Sequence, residues 1–98
     1  MTTKKTTTRP YDAARYLKSD ARMAAYLEAA LEDGDPQVIA VTLGDIARAK
    51  GMTQIARDSG LSRESLYKAL SPGGNPEMAT FLKVVRALGI RLHATSTA

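Results

Sequence analysis

Apolar residues recur along the chain at helical spacing, and the breaks between recurrences carry Gly, Pro or a capping side chain. Met23, Leu27 and Leu31, four apart with Ala24 and Ala30 beside them, predict a helix over 20–33 that Asp20 caps and Gly34 ends. Asp35 and Pro36 open a second helix, the Pro standing at the first helical position, where its missing N–H costs nothing. This helix runs to Lys50 with Ile39, Leu43 and Ile46 inward. Arg48 and Lys50 in its last turn complement the helix dipole, and Gly51 closes it. Two short helices fill 53–70, with Thr53 and Ser62 at the cap positions, where a hydroxyl accepts from an unpaired first-turn N–H. The run SPGGN over 71–75 is a loop, after which Asn75 caps and Pro76 opens a last helix over 76–88. Met78, Phe81, Leu82, Val85 and Leu88 point inward there, and Gly89 terminates it.

Both ends of the chain depart from this periodicity. Over 90–95, apolar Ile90, Leu92 and Ala94 alternate with Arg91, His93 and Thr95, which predicts a short strand. A lone strand in a helical chain needs an edge to pair with, either its copy in a second subunit or a sheet on another protein. At the other end, 1–10 (MTTKKTTTRP) is Thr-rich and nearly devoid of apolar side chains, which predicts a flexible arm carrying Lys4, Lys5 and Arg9. From 11 to 17 the pattern turns amphipathic, with Asp12 able to cap a short helix and Tyr16 and Leu17 as anchors. The expected fold is therefore mainly all-α, about five to six helices and a short C-terminal strand, forming one domain over 11–98 behind an arm over 1–10.

The stretch 51–70, GMTQIARDSGLSRESLYKAL, has the mechanics of a helix-turn-helix. Two short helices crossing steeply need a small contact residue on the first, which Ala56 supplies, and a turn residue tolerant of positive φ, which Gly60 supplies. Leu61 plugs the corner, and Leu66 and Leu70 give the second helix one buried stripe. Its remaining face carries Arg63, Glu64, Tyr67 and Lys68, with Ser62 and Ser65 at the entering end. A strip of hydrogen-bonding groups opposite a core stripe is what a reader of the DNA major groove requires.

Charge sharpens that picture. The net charge is +4 with a sequence pI near 9.6, which favours an acidic partner such as nucleic acid. It is unevenly spread: 1–20 carry five Lys or Arg against two Asp, 21–50 carry three basic groups against five acidic, and 51–98 carry six against three. The helix-turn-helix half is thus basic and the middle acidic. With 98 residues, 44% hydrophobic and 24% charged, the chain suits a single soluble domain, near the size where a small helical protein gains from a second copy. No cysteine is present, so neither a disulfide framework nor a cysteine metal site exists. With no eighteen-residue apolar run and no signal-peptide pattern, no membrane association is expected and the cytoplasm is the expected compartment.

Other chemistry finds little support. His93 stands alone on the polar side of the predicted strand, without the partners a general base or metal ligand needs. Glu28, Glu32, Asp33 and Asp35 are spaced as a solvated helix face more than as a metal site, though they also suit contact with a basic protein. Gly73 and Gly74 read as loop, and no nucleophile triad or paired-carboxylate geometry is visible, so no enzyme and no cofactor are expected. Arg63 and Lys68 also admit a plain reading as solvated charge, with Lys68 pairing with Glu64 one turn earlier.

The run DIARAKGMTQIARDSGLSRESLYKAL over 45–70, followed by SPGGNP and by FLKVVRALGIRL, and preceded by AAYLEAALEDGDP, resembles the probable addiction-module antidote proteins. These are HigA-like, lambda-repressor-like helix-turn-helix antitoxins, and the resemblance covers roughly 11–95. It implies a protein that neutralises a small, basic toxin of the RelE, ParE or HigB superfamily and, as a dimer on double-stranded operator DNA, represses its own operon. Carried onto this sequence, Arg63, Glu64 and Lys68 resemble base-contacting positions, Tyr67 a phosphate or base-edge contact, and Thr53 and Gln54 residues near the DNA backbone. One departure stands out: lambda-repressor-like domains usually place a Gln four residues before the small Ala, whereas Gln54 is two before Ala56. Two other functions fit the same residues, a stand-alone transcriptional regulator without a toxin and a toxin-binding protein that does not read DNA.

Overall fold

A computed structural model describes residues 17–97. The expected arm over 1–10 and most of the short helix expected over 11–17, with Tyr11 and Tyr16, lie outside the described residues. Within them are five helices: α1 (Asp20–Asp33), α2 (Pro36–Lys50), α3 (Met52–Ser59), α4 (Arg63–Ala69) and α5 (Met78–Ala87). No strand occurs among the described residues, and no helix is long and apolar enough to cross a membrane.

α1 is capped one residue before the position expected. Ser19, extended at ψ 155°, accepts from the Arg22 N–H at 3.2 Å, and Asp20 sits in the first turn. The helix buries Met23, Leu27 and Ala30, while Leu31 is 38% exposed. At about 100° per residue, successive steps of four drift by about 40° each, so Leu31 leaves the stripe that Ala30 stays within. α2 is capped as expected, the Asp35 carboxylate accepting from the Gln37 N–H at 2.9 Å with Pro36 next in line. Its segment from Thr42 to Ala47 is buried at every position, so α2 is the post around which the others are arranged. Leu17 is buried at the entrance to α1 and joins the core with Leu43, Ile46, Ile55, Leu66, Leu70, Val84 and Leu88.

Only one residue separates α2 from α3. Gly51, at φ 115°, closes one and begins the other without a side-chain cap, so Thr53 lies inside the first turn of α3 and does not cap it. α5 begins two residues later than expected: Glu77 is still extended at ψ 158°, and neither Asn75 nor Pro76 opens the helix. α5 buries Val84 and Val85, with Leu88 just beyond its end, but Leu82 is 47% and Met78 69% exposed. Leu82 falls about 110° from the centre of the 81, 84, 85, 88 stripe, which takes it out of the core. Met78 lies at the exposed tip of the helix.

The expected strand over 90–95 is not formed: among the described residues this segment has no regular secondary structure. Ile90 donates to the Val85 carbonyl at 3.2 Å and is half-buried, whereas 91–97 are exposed. Alternation made these residues competent for a strand, but a ladder needs a second strand, and the described chain supplies none.

Two long-range polar ties lock the helices together. Tyr26 on α1 donates from its hydroxyl to the Asp45 carboxylate on α2 at 2.8 Å, and Arg48 stands 3.7 Å from the same carboxylate. Desolvation by burial, then the hydrogen bond and the nearby negative charge of Asp45, push the Tyr26 hydroxyl above its ordinary ionisation range. Lys50 reaches across to the Leu88 carbonyl at 3.1 Å and to Asp20 at 3.4 Å, so the cation expected to complement its own helix also caps the end of α5.

Candidate nucleic-acid interface

The turn between α3 and α4 has the expected construction and one part that spacing did not reveal. Gly60 adopts φ 78° and donates to the Ala56 carbonyl at 3.0 Å, which a side chain at this position would strain. Ser59 stitches the same corner: its hydroxyl donates to the Ala56 carbonyl and accepts from the Leu61 N–H, both at 3.3 Å. Leu61 packs partly buried against the core, as a corner plug should.

Ser62 caps α4, accepting from the Ser65 N–H at 3.0 Å while donating to the Ser65 hydroxyl at 2.9 Å. Both serines are therefore engaged in starting the helix. Leu66 is fully buried and Leu70 nearly so, and the exposed face carries Arg63, Glu64, Tyr67 and Lys68. Arg63 donates to the Tyr67 hydroxyl at 3.2 Å, and its guanidinium carbon lies 5.7 Å from the Tyr67 ring centroid. This one-turn pairing holds a planar cation against an aromatic face, restricting the guanidinium before any ligand arrives. The expected Glu64–Lys68 pair is not among the ion pairs of the described residues.

Thr53 and Gln54 occupy the exposed first turn of α3, apart from this strip. Gln54 is turned along its own helix, its amide donating to Asp58 at 3.1 Å, and it borders a surface depression with Lys18, Asp20 and Lys50. The described hydrogen bonds join Arg63 with Tyr67 and Ser62 with Ser65, and none joins Gln54 to α4.

How α4 is held from behind was hidden in the sequence. A Cβ on Gly44 of α2 would come within 2.6 Å of the Leu70 carbonyl oxygen, so only glycine lets the end of α4 approach so closely. A Cβ on Gly74 would likewise run into the Ala69 carbonyl at the same helix end. The loop is fastened by the Ser71 hydroxyl to the Lys68 carbonyl at 3.2 Å and by the Gly73 N–H to the Gln37 side chain at 2.8 Å. A glycine within an otherwise helical run was the visible signal for Gly44, since such a residue usually marks close packing. Nothing comparable marks Gln37. A shallow groove runs from Ser65 and Lys68 along this loop to Asn75 and Thr80, bringing two further polar side chains beside the strip.

No group of three or more His, Asp or Glu side chains placed to hold a metal ion occurs among the described residues.

A family model described as probable addiction module antidote protein matches residues 7–96 of the chain. An uncharacterized protein of Haemophilus influenzae is 48% identical over 83 residues, which cover 85% of this chain and 86% of that protein. No solved structure matches the chain.

Proposed function

The chain belongs to the probable addiction module antidote family, and on that premise we propose that it is an antitoxin that masks a RelE-, ParE- or HigB-like toxin and represses its own operon. In this reading a lambda-repressor-like dimer sets each α4 into a major groove of a palindromic operator, with half-sites about one helical turn apart. Arg63, Glu64, Tyr67 and Lys68 address base edges, Ser62 and Ser65 hold the entering end of the helix, and Thr53 and Gln54 face the backbone. Neutralisation is steric, and this chain contributes no catalytic group. An antidote family accords with a regulatory role of that kind.

The observation that carries the DNA-reading half is the division of α4, one buried residue against an exposed strip whose leading arginine is held in place by Tyr67. The test has two arms. Expression of the adjacent reading frame alone should arrest growth, and co-expression of this chain should restore it. In a gel shift on the upstream promoter, affinity should fall steeply as salt rises, because phosphate contacts release condensed counterions. Salt-insensitive or absent promoter binding with intact rescue would leave a toxin-binding protein that does not read DNA. Promoter binding without a toxic neighbour would leave a stand-alone regulator.

A further inference from the structure

A groove lies between α1 and the C-terminal segment. Leu27 and Ile90 form its floor, and Leu31 and Leu92 stand on opposite lips, 38% and 37% exposed. Glu28 and Glu32 follow one another along the α1 side, while Arg91, His93 and Thr95 border the other. Between Arg22 and Arg48 the sequence contains no Lys or Arg but five carboxylates, so the α1 wall has no neighbouring cation in sequence. Neither Glu28 nor Glu32 takes part in an ion pair among the described residues.

Helix electrostatics make the arrangement more telling. The last turn of α1 holds no basic residue, yet Glu32 and Asp33 stand there, against the negative end of the helix dipole. Carboxylates at that end cost the free chain stability, and a cation brought from outside relieves the cost. Exposed apolar groups and two carboxylates without an ion pair on one groove fit a basic, amphipathic segment of another protein.

We propose that this groove is where the chain grips its toxin, with a Lys- or Arg-bearing segment of the toxin lying against Glu28 and Glu32 and an apolar side chain set between Leu31 and Leu92. This rests on the antitoxin reading above. A second copy is the other occupant such a groove could take, and the light-scattering arm below separates it from the toxin. α1 packs on α2 while α4 packs on α3, so the grip and the DNA-reading strip stand on different elements. Toxin and operator are then held at once.

The test uses the full chain and the purified product of the adjacent reading frame. The double variant Glu28→Lys with Glu32→Lys should bind that product about tenfold more weakly or worse, as charge reversal at a complementary contact does. Its melting temperature should stay level or rise, since lysine at the end of α1 suits the dipole. Leu92→Asp, on the exposed tail, should weaken the same complex while leaving the promoter gel shift unchanged. Undiminished binding by both variants overturns the proposal. So does a wild-type dimer that the variants convert to monomer by light scattering, which would make the groove a contact between copies. If the wild-type chain itself fails to bind the neighbouring product, the antitoxin reading falls first and this groove with it.

Discussion

α2 and α4 are neighbours built on opposite principles. α2 buries every residue from Thr42 to Ala47, whereas α4 buries only Leu66 of its seven. That stretch of α2 is held by its faces, with every one of its residues committed to packing. α4 is held at its ends: Ser62 caps its start, and Gly44 and Gly74 each approach the backbone of its last residues closely, leaving its outer face free for a ligand. Exposure of a reading face thus depends on restraint supplied through backbone contacts and a cap.

That contrast can be broken from the α2 side with the largest effect. Ile46→Ala removes a fully buried side chain from the central post and should cost about 2–5 kcal/mol. For a domain of this size that lowers the melting temperature by roughly 10 °C or more, and a shift under half of that would mean α2 is not the post described. Gly44→Ala comes next. Its methyl group meets the Leu70 carbonyl at 2.6 Å, so the gain in helix propensity is outweighed and a loss of about 1–3 kcal/mol is expected. Operator affinity should fall with it, because the end of α4 has to move. A stabilised Gly44→Ala protein would show that the close approach constrains nothing.

Ser62→Ala tests the restraint at the other end and should cost about 1 kcal/mol by denaturant titration, the usual worth of an N-cap. Equal stability of the two proteins would mean that the end contacts alone fix α4. Arg63→Ala sharpens the comparison most, having the smallest effect on folding. Its melting curve should match the parent within about 0.5 kcal/mol. Operator binding should weaken by about 1–3 kcal/mol, and unchanged affinity would remove Arg63 from the reading strip.

Local signals were readable wherever a residue and its partner lie within about one helical turn of each other. Asp35 with Gln37, Gly34 with Ala30, Gly60 with Ala56 and Ser62 with Ser65 all follow from sequence neighbours, and each stands where the pattern put it. The same reasoning misplaced caps when two candidates competed. Ser19 took the place expected of Asp20, and the glycine at 51 removed the need for Thr53. Met78, Leu82 and Leu31 were expected inward because their spacing is helical, but spacing alone does not fix where the centre of the stripe falls.

The amino-acid sequence by itself determined the order of the helices over 20–88, the breaks between them, and the polar strip at 63–68. These depend on capping, φ preference and a 3.6-residue period, all decided among near neighbours. Only the tertiary structure decided what stands behind the strip and beside the groove. Gly44 meets Leu70, Gln37 holds Gly73, Lys50 spans Asp20 and Leu88, and Tyr26 binds Asp45, pairs lying 19 to 38 residues apart. Such contacts depend on where helices cross, which is set by the packing of the whole core around α2, and no window of neighbouring residues contains it.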